Sequence, residues 1–122
     1  MMTSRELNKK LINAFPELES AYKEYTEWQD GDETGSHVVY CHILAREIAF
    51  LIKGKRYDKA KPYLDFCEDL LLTGDEYADE VVALSVLDFI ATEEGCREAD
   101  VLPLLGPATL KVWREIVDWR PQ

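Results

Sequence analysis

The stretch from Ser36 to Gly54, SHVVYCHILAREIAFLIKG, decides the fold. Val39, Tyr40, Ile43, Leu44, Ala45, Ile48, Leu51 and Ile52 recur at three- and four-residue spacing, so a helix here is apolar on more than one face and must be enclosed by neighbours. Ser36 stands where a capping hydroxyl is expected, and Gly54 where helices end. A second such run, Val81, Val82, Ala83, Leu84, Val86, Leu87, Phe89 and Ile90, falls in a predicted helix from Glu76 to Thr92 that Asp75 caps. Two helices of this kind form the centre of an all-α domain, each buried on most sides.

The flanking segments also read as helix. Thr3 and Glu6 have capping-box spacing and open a helix from Ser4 to Ala14, whose stripe Leu7, Leu11, Ile12 and Phe15 is interrupted by Pro16. Leu18, Ala21, Tyr22, Tyr25 and Trp28 predict a second helix from Glu17 to Trp28. Tyr57, Ala60, Leu64, Cys67 and Leu71 predict another from Tyr57 to Leu72, ended by Gly74, with Pro62 early enough to be a first-turn proline or a slight kink. A shorter helix from Arg97 to Leu105 meets Gly106-Pro107, and Pro107 starts a last helix carrying Leu110, Trp113, Ile116 and Val117. No stretch shows the two-residue alternation of a strand. The expectation is a single domain over residues 1–122, a compact stack of about six or seven helices. The stretch GKRYDKAKPYLDFCEDLLL resembles the turn and second helix of a tetratricopeptide or HEAT-type hairpin, without meeting a full repeat consensus, and a simple up-and-down bundle is the alternative.

Composition bounds the function. The chain has 24 acidic and 14 basic residues, a net charge of −10, and 47% apolar residues, enough for one core. Such a field repels nucleic acid and anionic lipid and attracts cationic partners. Seven acids and one base, Lys23, lie between Glu17 and Glu33, and seven acids with no base lie between Asp65 and Glu80. Between these runs, Arg46 to Lys61 carries six bases against Glu47 and Asp58. Met1 to Ile12 is charged and polar rather than apolar, so neither a secretory leader nor a membrane span is expected, and the location expected is cytoplasmic. Cys41, Cys67 and Cys96 are odd in number and widely spaced, which predicts reduced, mostly buried thiols.

Chemical motifs fail at definite positions. The stretch QDGDETGS, Gln29 to Ser36, opens like a calcium loop counted from Asp30, but its eighth position is His37, and Cys41 stands where a bidentate Glu must close the site. It reads instead as a polar interhelical loop. His37, Cys41 and His42 cluster at a helix start without the paired ligand spacings of a zinc site, and neither histidine has an orienting acid in the sequence. Lys53-Gly54-Lys55 lacks the remainder of a P-loop, and no Glu precedes a His by three residues as di-iron bundles require. No catalytic residue, metal site or cofactor is expected, and the chain reads as a non-enzyme.

What remains is an acidic helical surface. Its candidate partner-binding residues are Trp28, Asp30, Asp32 and Glu33 in the loop region, and Asp75, Glu76, Tyr77, Asp79 and Glu80 at a helix start, with Trp28 and Tyr77 as aromatic anchors. In length, acidity, all-helical pattern and lack of catalytic motifs the whole chain resembles the helical immunity proteins of bacterial contact-dependent growth inhibition systems, especially those paired with ribonuclease A-like toxins. The resemblance implies a basic partner, a secreted nuclease toxin domain, bound through carboxylates that compete with phosphates for its Lys and Arg. It implies no binding of nucleic acid or membrane. The alternative is a helical-repeat adaptor or regulatory module unrelated to toxins, and a third reading is a small metal-dependent enzyme.

Overall fold

The computed structural model describes residues 1–119, and among them every regular element is helical. Helix α1 (Ser4–Ala14) begins where the Thr3 hydroxyl oxygen accepts the amide proton of Glu6 at 3.1 Å, as the capping spacing predicts. After Pro16 the chain makes one 3-10 turn (Pro16–Leu18) and then α2 (Glu19–Thr26), a shorter helix than the expected Glu17 to Trp28. The central helices are α3 (residues 36–53) and α5 (residues 76–92), with α4 (Tyr57–Leu72) between them in sequence. The segment expected as a helix from Arg97 to Leu105 is α6 (Glu98–Val101) followed by a 3-10 turn (Leu102–Leu104), because Pro103 has no amide proton to continue the ladder. Helix α7 (Pro107–Asp118) starts at its proline as expected.

Both central helices carry a π turn that plain helical spacing does not reveal: Tyr40–Ala45 in α3 and Val82–Leu87 in α5. A π turn holds one residue more than an α turn, which shifts the side chains beyond it by roughly 100° around the axis. The two π turns pack against each other and bring Tyr40, Ile43, Leu44 and Ala45 together with Val82, Ser85, Val86 and Leu87, all buried. Around this centre lie Leu7 and Leu11 of α1, Leu64 and Cys67 of α4, and Trp113 of α7, in one continuous core. The Tyr40 hydroxyl donates to the Leu7 carbonyl at 2.6 Å, which fastens α1 to the centre.

Two local expectations are corrected. Ser36 is not a cap: Gly35 holds that position, and the Ser36 hydroxyl donates to the carbonyl of Ser4 and the side-chain oxygen of Asn8 instead. Pro62 is the sixth residue of α4, inside the helix rather than in its first turn. Helix α5 is buried on most sides as expected, and Leu84, 59% exposed, stands on its open side. Helix α3 ends at Gly54 as expected, with Gly54 at a φ of −84° and the left-handed φ of 59° at Lys55. No helix among the described residues is long and apolar enough to cross a membrane.

Candidate protein-docking surface

The loop between α2 and α3 is built rather than loose. Gly31 takes φ 56°, the left-handed region that glycine enters without strain, and starts a 3-10 turn (Gly31–Glu33). The side-chain amide of Asn8, on α1, donates to the carbonyls of Asp32 at 3.1 Å and Thr34 at 2.7 Å. Asn8 is fully buried, and nothing in the local sequence marks it as a loop anchor. Asp32 points its Oδ1 at the Tyr22 hydroxyl, 2.7 Å away, and its Oδ2 lies 3.9 Å from Lys9 Nζ. That carboxylate, together with burial as the larger cause, raises the Tyr22 phenol above its ordinary value. The loop acids are therefore arranged around α1. Among the described residues no group of three or more His, Cys, Asp or Glu side chains is gathered to hold a metal ion.

The acidic start of α5 meets the same end of α1. Asp75 caps α5, accepting the amide of Ala78 at 2.9 Å, and its other oxygen accepts the amide of Met2 at 2.7 Å. These bonds hold the Asp75 carboxyl below its ordinary value, the Ala78 amide contributing most. Tyr77 does not offer its hydroxyl to a partner: it lies 2.8 Å from Ser4 Oγ and accepts the amide of Ser36 at 3.2 Å. This junction brings the two acidic segments, separated in sequence by some forty residues, to one neighbourhood. Of the candidate residues, Trp28 is 74% exposed, Asp30 and Glu76 are exposed with no side-chain partner among the described residues, and Glu33 makes an exposed pair with Arg5 at 3.3 Å. Asp79 is half-buried, and its Oδ1 has no hydrogen-bond partner among the described residues.

Glu80 has a partner that the sequence conceals. His37 Nε2 lies 3.3 Å from Glu80 Oε2, and its Nδ1 lies 2.6 Å from Ser85 Oγ. The histidine thus has both an acid and a hydroxyl, but Ser85 is buried in the contact between the two π turns, shielded from any substrate carbonyl. The trio ties α3 to α5. All three cysteines are free: Cys67 and Cys96 are buried and Cys41 is half-buried. Burial pushes the Cys67 thiol up to about 12 and raises those of Cys41 and Cys96, which disfavours the thiolate that nucleophilic or metal chemistry requires.

One surface escaped the sequence reading altogether. Leu84 of α5 and Val112 and Ile116 of α7, expected in the core or not singled out, instead line an open apolar cleft that ends at Trp119, 86% exposed. The available signal was that the run from Val81 to Ile90 is apolar on most sides, so an uncovered side of α5 becomes an apolar strip.

Residues 8–120 match the family described as a domain of unknown function, DUF7674. The chain belongs to that family. No curated protein and no solved structure matches it.

Proposed function

We propose that this chain is a binding module for a basic protein, and specifically an immunity protein that neutralises a ribonuclease toxin in the cytoplasm. The observation that carries the reading is the Ser4–Tyr77–Ser36 junction, which sets the loop acids and the α5 acids around one end of α1. Asp30, Glu33, Glu76 and Glu80 are exposed there, and Trp28 follows α2 as an exposed aromatic side chain. A nuclease cleft that grips several phosphates carries a focused positive field, and such carboxylates compete for the same Lys and Arg. The short connection of residues 54–56 makes α3 and α4 a helix hairpin, in keeping with a repeat-like stack of the HEAT or tetratricopeptide kind.

The test is co-purification of the native complex, followed by a ribonuclease assay of the partner with and without this chain. A basic partner whose RNA cleavage this chain abolishes is expected. Association should slow as salt shortens the screening length from roughly 10 Å at 0.1 M, and should slow again in the double variant Asp30→Lys, Glu76→Lys. An acidic partner, or a rate indifferent to salt and to both reversals, refutes the reading. The exposed apolar strip at Leu84 and Trp119 favours a second reading, an adaptor that holds a peptide segment, in which the partner has no nuclease activity.

A further inference from the structure

The cleft between α5 and α7 has a floor, walls and a length. Its floor is Ala83 and Leu84 on one side and Val112 and Ile116 on the other, with Trp119 also in its lining, and its volume is about 380 Å³. Through Ala83, Val112 and Glu115 it is continuous with a second cleft of about 450 Å³ that runs past Ala108. From Ala108 to Trp119 the groove follows α7 for eleven residues, roughly 16 Å at the helical rise, the length of about three turns of another helix.

The described walls are mostly acidic: α5 contributes Asp79 and Glu80 and α7 contributes Glu115, against Lys111. A cationic occupant is favoured along this groove. A second copy of the chain is disfavoured, because each copy carries a net charge of −10 and would bring more carboxylates to the same walls. An anionic lipid surface is disfavoured for the same reason. The apolar floor in turn requires an occupant with an apolar stripe, since Leu84 and Trp119 present large side chains that water solvates poorly.

We infer that the α5–α7 groove binds a basic amphipathic helix of a partner protein, its apolar stripe on Leu84, Val112, Ile116 and Trp119 and its Lys or Arg against the acidic walls. The inference rests on the reading of the chain as a binder of basic proteins, but not on the partner being a toxin. It adds a site to the acidic face around α1, and Glu80 belongs to both. Binding here is helix-in-groove recognition, with apolar residues at three- and four-residue spacing as anchors.

The probe is a synthetic Leu/Lys peptide of about three helical turns with its leucines at that spacing, compared with a scrambled isomer of the same composition and charge. Titration calorimetry is run on the whole chain and on Leu84→Asp and Trp119→Ser, both at exposed positions. The amphipathic peptide is expected to bind at least tenfold tighter than its isomer, and each substitution is expected to erase that preference while leaving the melting temperature unchanged. Equal binding of the two isomers, or a preference that survives both substitutions, overturns the inference. So does a dimer that Leu84→Asp dissolves, which would assign the groove to a second copy. If the peptide preference is absent while Asp30→Lys, Glu76→Lys still slows the native partner, the groove falls and the acidic-face reading stands. If the native partner ignores those reversals but is lost with Leu84→Asp, the groove stands and the acidic face around α1 falls.

Discussion

The side-chain amide of Asn8 donates to the carbonyl of Thr34 at 2.7 Å, with Asn8 fully buried and Thr34 2% exposed. The same amide reaches the carbonyl of Asp32, and the Asn8 oxygen accepts the Ser36 hydroxyl proton at 2.8 Å, so one side chain of α1 satisfies three groups of the acidic loop. Asn8→Ala leaves those groups short of partners away from water, at about 1–3 kcal/mol for each buried group left unsatisfied. The expected outcome is a loss on the order of 2–4 kcal/mol in denaturant unfolding, with faster amide exchange in residues 31–36. An unchanged midpoint would show that the loop holds itself.

A second side chain performs a similar task for α7. The Glu68 carboxylate, on α4, accepts the amides of Ala108 and Thr109 at 2.9 and 2.8 Å and the Thr109 hydroxyl proton at 2.9 Å. Burial pushes the Glu68 carboxyl up, but those three bonds outweigh it and hold the group below its ordinary value of 4.5. A depressed folded value means that the stabilisation is present above 4.5 and is lost as pH falls through the lower folded value. Glu68→Gln should lower the melting temperature at neutral pH, and its deficit should shrink as the solution is acidified. Glu68→Ala should cost roughly 1–3 kcal/mol. A Cβ at Gly106 would stand 2.6 Å from Glu68 Cδ, so Gly106→Ala should displace the carboxylate and add little further loss in the Glu68→Ala background.

Lys55 is the one non-glycine residue with positive φ among the described residues. A left-handed conformation costs an L-residue roughly 1–2 kcal/mol, and glycine gives back part of that through its freedom in the unfolded chain. Lys55→Gly is expected to stabilise the protein by up to about 1 kcal/mol. A fall in melting temperature would mean that the lysine side chain makes a compensating contact.

The thiols should react in order of accessibility. Cys41, half-buried, is labelled first by an aromatic disulfide reagent, and Cys67, with no exposed surface and a thiol pushed up to about 12, reacts only on unfolding. Rapid native labelling of Cys67 would contradict its place in the core.

The loop acids should separate by role. Asp32 holds the Tyr22 hydroxyl and lies near Lys9, so Asp32→Lys is expected to lower the melting temperature, whereas Asp30→Lys, at an exposed site with no side-chain partner among the described residues, should leave it within experimental scatter. The sequence alone presents the two as equivalent charges. If Asp32→Lys is equally silent, the Tyr22 contact contributes nothing to stability.

The sequence by itself determined the helical character and most helix ends of this protein, because those depend on groups within about one turn of each other. Thr3 and Asp75 act as the caps their spacing indicates, Pro107 starts α7, and Gly74, at φ 74°, follows the end of α4. Residue types on the candidate surface were legible in the same way, but their neighbours were not. Tertiary structure alone decided that Tyr77 would bond to Ser4, 73 residues away, that His37 would meet Ser85 and Glu80, and that Asn8 and Glu68 would anchor segments distant in sequence. It also decided which apolar side chains stayed outside. Leu84 stands roughly 200° around α5 from Val82, on the side that α7 covers only in part, so it lies in an open groove while Val82 and Val86 are sealed. Local hydrogen bonding fixes where a helix begins and ends, but the face it buries depends on which distant helices arrive to cover it.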